Sequence, residues 1–117
     1  MDFGLLQTIG VDEREVMARF MNNEGLYCRI LKKFMEDKSY DELKISWEEG
    51  DYEAAFRWAH TLKGVSANLG LGGIRELSSA ITEQLRPGHT RDDILLKDNM
   101  SQLAEQYAAA QEVIEKL

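Results

Sequence analysis

His60, Lys63 and Gly64 fall within five residues of one another in the stretch AHTLKGVSANLG, Ala59 to Gly70. Imidazole is a good nucleophile near neutral pH, because an appreciable share of it is uncharged. An ammonium three residues later can swing to the same place and neutralise an anion held on the ring. A glycine inside a helix costs about 1 kcal/mol relative to alanine. Placed one turn after His60 on the same face, it marks a spot where something must come right up to the helix. A nucleophile, a cation and a clearance together suggest a phosphoryl group carried on histidine.

The helix that positions these residues has a legible core side. At about 100° per residue, Ala55, Trp58, Leu62, Val65 and Leu69 cluster together. His60 falls almost opposite the centre of that cluster, so it is not expected to be a core histidine with a buried partner. Its own side carries Glu53, Phe56, Arg57, Lys63, Gly64 and Ala67. A purely solvated face would be dominated by charge. This one adds an outward phenylalanine and two very small residues, which makes Phe56, Arg57 and Ala67 candidates for partner docking.

Phosphoryl transfer depends on in-line positioning and on cations that spread the transition-state charge. The chain has no glycine-rich nucleotide loop of the P-loop or kinase kind, so it is not expected to use ATP alone. A partner must bring the phosphate and most of the electrostatic machinery. Two other readings compete. In one, the Phe56, Gly64 and Ala67 surface docks a partner helix while His60 stays inert. In the other, a bundle holds a metal through Glu-x-x-His pairs. That second reading fails on the residues: three before His60 is Arg57, and three before His89, in the loop RPGHTR, is Arg86.

The rest of the chain reads as helical almost throughout. A first helix is predicted from about Asp12 to Met21, capped by Asp12 and preceded by a short helical turn around Leu5, Leu6 and Ile9. Asn23 caps the next. Leu26, Ile30 and Phe34 form one apolar stripe, and Tyr40, Leu43 and Trp47 a second, offset by about a quarter turn. Ser39 and Glu42 fit a capping box. One long helix bent near Asp37–Ser39 and closed by Gly50 is the preferred reading of this stretch. Asp51 caps the helix of His60, which Gly70 stops. A fourth helix runs from about Leu71 to Pro87, with Ile74, Leu77, Ile81 and Leu85 as its stripe. The last starts at Thr90 or Arg91, with a seam of Leu96, Met100, Leu103, Tyr107, Ala110, Ile114 and Leu117. The prediction is an all-α fold: an antiparallel up-and-down four-helix bundle with a short extra N-terminal helix as a lid.

Composition bounds the function. The 117 residues suit a single domain, residues 1–117. A net charge of −7 with scattered basic residues argues against nucleic-acid binding. No apolar run is long enough to cross a membrane, and MDFGLLQTIG lacks the features of a secretion signal. A cytoplasmic location is the default. Cys28 is the only cysteine, which excludes an intramolecular disulfide and cysteine-based zinc sites. The seam reads as an internal core, so monomer is the default oligomeric state.

HTLKGVSANLG strongly resembles the motif of histidine phosphotransfer (HPt) domains, H-x-L-K-G-x-S/A-x-x-L-G. The flanking EEGDYEAAFRWAH and the earlier NNEGLYCRILKKFMED are similar to that family too, and the resemblance weakens after Leu85. It implies that His60 accepts a phosphoryl group from a receiver-domain aspartyl phosphate and passes it to a second receiver's aspartate. Lys63 would support the phosphoryl group and Gly64 would leave room for it. Ser66, Ala67 and Gly70 complete the pattern, with Leu62 and Leu69 in the core. The partners implied are response-regulator receivers and a hybrid sensor histidine kinase. The chain itself would need no cofactor, the magnesium being expected in the receiver's acidic pocket. Some relatives place a glutamine on the next helix to reach the histidine. Thr82 stands at that place here, and the turn at Gly70 brings Ser78, Ser79 and Thr82 near the level of His60.

Overall fold

Asp51 starts the central helix by accepting a hydrogen bond from the Ala54 backbone N–H at 3.1 Å. In the computed structural model, which describes residues 1–117, that helix is the fifth of seven. They are α1 (Phe3–Gln7), α2 (Glu13–Arg19), α3 (Glu24–Phe34), α4 (Ser39–Glu48), α5 (Tyr52–Leu69), α6 (Gly72–Leu85) and α7 (Asp93–Glu115). The chain forms an all-helical bundle. α5 packs between α4 and α6, α6 packs on α7, and α3 touches α7. One cluster of buried side chains runs through all seven helices, from Leu6 in α1 to Ile114 in α7. No helix is long and apolar enough to cross a membrane.

The stretch expected to be one long bent helix is two helices. At the end of α3, the N–H groups of Met35, Glu36 and Asp37 turn to carbonyls three residues back, which tightens the chain out of α-helical register. The Asp37 carboxylate then accepts the Ser39 N–H at 2.8 Å. This turn also displaces the expected capping box: α4 begins after Lys38 with no side-chain cap. The break lets each half bury its own face: Tyr27, Leu31 and Phe34 in α3, and Tyr40, Leu43 and Ser46 in α4, while Leu26, Ile30 and Trp47 of the expected stripes are only half-buried. Tyr40 of α4 stacks on Tyr107 of α7 with ring centroids 4.3 Å apart, and Phe34 of α3 meets the same ring edge-on at 5.9 Å.

The N-terminal piece is also two helices, α1 and α2. The second stops at Arg19, short of the expected Met21, since Met21 and Asn22 both take positive φ. The piece closes the far end of α5. Gly70 adopts a left-handed conformation, φ +71°, and ends the helix. The last carbonyls of a helix have no partner within it, yet here each is met. Leu71 N–H donates to Ser66 and Gly70 N–H to Ala67. The Arg19 guanidinium donates to Ala67 and Asn68 at 2.8 Å each, and the Tyr27 hydroxyl donates to Leu69 at 2.7 Å. Burial pushes the Tyr27 phenol far up, a lesser lowering coming from Arg19, so it stays a donor. Beside this, Gly10 lies directly on Gly72: a Cβ added to Gly72 would sit 2.5 Å from the Gly10 carbonyl oxygen.

Further on, α7 begins at Asp93, slightly later than expected, because Asp92 caps it through the Ile94 and Leu95 N–H groups. Leu96, Met100, Leu103, Tyr107, Ala110 and Ile114 of the seam are all buried, while Leu117 lies beyond the helix and half-buried.

Candidate functional site around His60

The buried face of α5 is Ala55, Ala59, Leu62, Ser66 and Leu69. Trp58 and Val65, expected in the core, are half-buried at its flank. The core direction is therefore rotated toward His60 by roughly a tenth of a turn relative to the wheel estimate. His60 remains exposed. Small residues explain the rotation. Ala59 lets a neighbouring helix approach, and Ser66 hides its hydroxyl by donating to the Leu62 carbonyl at 2.7 Å.

Around the imidazole the chain leaves unusual freedom. His60 makes no side-chain hydrogen bond or ion pair. Its nearest ring is Phe56, one turn earlier, with centroids 6.3 Å apart and planes inclined by 29°. A Cβ built on Gly64 would meet nothing within 4 Å. The missing side chain is thus not required by any neighbour within the protein. Lys63 is half-buried at the flank and forms no ion pair. Ala67 is half-buried on the same side, and Arg57 is exposed with an ion pair to Glu53 at 3.4 Å.

The hydroxyl candidates on α6 divide. Ser78 and Thr82 are fully buried. Ser78 donates to the Ile74 carbonyl, and Thr82 donates to the Ser78 carbonyl at 2.6 Å. Both hydroxyl protons are spent one turn back in their own helix, so neither is free to donate to the imidazole. Leu77, expected in the buried stripe, is only half-buried, packed against the edge of the core. Ser79, half-buried, keeps some surface.

Sequence reasoning missed the charged edge that α6 adds. Arg86 grips both carboxylate oxygens of Glu83, at 2.7 and 3.2 Å, and lies over the Phe56 ring with its guanidinium carbon 5.5 Å from the centroid. The Arg86 hydrogen bonds hold the Glu83 carboxyl below the usual carboxylate range; the charges of Arg86, Lys63 and His89 add to this, and partial desolvation opposes it. His89 Nδ1 lies 2.6 Å from the Glu83 carbonyl. The three-residue spacing of Glu83 and Arg86 was the available signal.

A groove with both apolar and charged lining lies elsewhere. It has a volume of about 460 Å³ and is lined by Ile30, Phe34, Val65 and Leu69 between α3 and α5. Small-molecule sites are usually concave, and His60 lines none of the five main clefts.

A family model described as Hpt domain matches residues 30–113. The chain belongs to the Hpt domain family. Membership implies histidine phosphotransfer within phosphorelays, with the domain as a phosphocarrier module and not a catalyst. The matched residues begin inside α3 and run nearly to the end of α7, so α1 and α2 lie outside them. No curated protein and no solved structure matches the chain.

Proposed function

We propose that this Hpt domain carries a phosphoryl group on His60, taken from the aspartyl phosphate of one receiver domain and given to the aspartate of another. In the accepting step the lone pair of an imidazole nitrogen forms the N–P bond as the aspartyl O–P bond breaks. The aspartate leaves as a carboxylate. The ring holds its remaining N–H proton, which exchanges with solvent. The giving step is the same displacement in reverse, with a receiver carboxylate as nucleophile. The magnesium ion that spreads charge in both steps is expected in the receiver's pocket.

The observation that carries this reading is the open space around Gly64 beside an exposed, unbonded imidazole. Within the protein that glycine has only a cost. A docked partner gives it a use. Lys63, free of any ion pair, supplies the cation for the phosphoryl oxygens. Phe56, Arg57 and Ala67 flank the approach. This reading takes the chain as one cytoplasmic, monomeric domain. It places α4 to α7 in an up-and-down antiparallel four-helix arrangement. A hybrid sensor kinase stands upstream.

The test mixes the protein with a phosphorylated receiver. The expected result is acid-labile, base-stable label on the wild type and none on His60→Gln. Binding to the receiver without label on the wild type favours a docking module instead.

A further inference from the structure

His60 is the residue on which transfer depends, yet no polar group orients it. An exposed imidazole on a helix samples several staggered rotamers. In-line transfer rewards the fraction of time the ring spends in one of them. The neighbour available to restrict it is the Phe56 ring, near-parallel and one helical turn away. Phe56 itself is not loose. It is half-buried against the core and covered by the Arg86 guanidinium.

Arg86 is in turn fixed from two directions. Glu83 holds its guanidinium through both carboxylate oxygens. Its backbone is extended, φ −57° and ψ 131°, as the following Pro87 demands. That turn ends α6 and carries the Arg86 side chain back over α5. The loop is further tied by His89 against the Glu83 carbonyl and by Arg91, whose guanidinium carbon lies 3.8 Å from the Tyr52 ring centroid. Guanidinium over phenyl, 5.5 Å from its centroid, and phenyl beside imidazole, with centroids 6.3 Å apart, line up from α6 to the reacting ring.

We propose that Phe56 is a positioning residue for His60, clamped by Arg86, and that it narrows the imidazole to outward rotamers instead of serving chiefly as a partner contact. The proposal rests on the phosphotransfer reading for its consequence, but not for its structural content.

The experiment has two arms on the full chain. Nuclear magnetic resonance measures side-chain order of His60 in the unphosphorylated wild type, Phe56→Leu, Phe56→Tyr and Arg86→Gln. Phosphorylation rates are then taken with a receiver and with phosphoramidate, a donor too small to dock. Phe56→Leu is expected to lower His60 order and to slow both donors about five-fold, the size of an aromatic contact. Phe56→Tyr restores both readouts. Arg86→Gln, at an exposed residue that leaves the core untouched, lowers order and slows both donors about two-fold. Unchanged His60 order in Phe56→Leu and Arg86→Gln overturns the proposal. So does a loss confined to the receiver, which identifies Phe56 as a docking contact. If the wild type accepts phosphate from neither donor, the phosphotransfer reading fails, and His60 order still decides the positioning.

Discussion

At Gly64 helix stability and the proposed docking role pull in opposite directions. A methyl group there meets no neighbour within 4 Å. Gly64→Ala should therefore raise stability by about 1 kcal/mol through helix propensity, read as a higher melting temperature. Gly64→Gln should gain in the same way and lose receiver-dependent transfer, because the longer side chain fills the clearance. Normal transfer by that variant would contradict the clearance argument. Lys63→Ala should slow transfer by about ten-fold or more, the worth of a charge-assisted hydrogen bond to the phosphoryl group; an unchanged time course removes its role. His60→Gln should leave stability within about 0.5 kcal/mol of wild type, since the ring bonds to nothing. At this scale the exposure of His60 and the open space at Gly64 were legible in the sequence, because both follow from residue type and helical spacing. Thr82 shows the opposite case. Its hydroxyl suggested a reach toward His60, but a hydroxyl mid-helix has an acceptor one turn back, and that short-range bond wins.

At the scale of elements, the end of α5 depends on the N-terminal helices. Tyr27→Phe removes the partner of the Leu69 carbonyl in a site where Tyr27 is fully buried. The expected cost is about 1–3 kcal/mol, measured by denaturant unfolding. Arg19→Ala should cost less, because Arg19 is exposed and water can replace it at the Ala67 and Asn68 carbonyls. Gly72→Ala should cost more than Arg19→Ala in the same unfolding measurement, since its methyl would press on the backbone of Gly10. Helix starts at Asp12, Asn23 and Asp51 were legible because each carboxylate or amide caps a nearby N–H within its own sequence neighbourhood. The split at residues 35–38 was not. Its two stripes signalled a change of phase, but a bend and a break leave the same trace in periodicity. The Asp37 to Ser39 hydrogen bond that decides between them is a matter of geometry.

For the whole molecule, three tyrosines set an alkaline limit. Burial is the leading cause that raises the phenols of Tyr27, Tyr40 and Tyr107 above their ordinary value, with nearby acids adding to all three and Arg19 opposing at Tyr27. A raised phenol means the folded state keeps its proton where the unfolded chain has lost it. Stability is thus fully present below about pH 10, the unfolded tyrosine value, and falls as pH rises beyond it. Unfolding free energy measured from pH 8 to 11 should decline, and Tyr27→Phe should decline less steeply. An equal slope in that variant would remove Tyr27 from the account. The helical class and the order of the main helices were legible in the apolar spacing. How α1 and α2 seat on α5 was not, because Gly10 on Gly72 and Arg19 on Asn68 join residues far apart in sequence.

The account as a whole asks for one bond on one ring. The protein is prepared with nitrogen-15 histidine, phosphorylated by a receiver, and its phosphorus–nitrogen coupling is recorded. The account predicts a one-bond coupling to a His60 ring nitrogen that vanishes when a second, unphosphorylated receiver is added. A coupling on His89 instead, or phosphate found on no histidine while the receiver discharges, would contradict it.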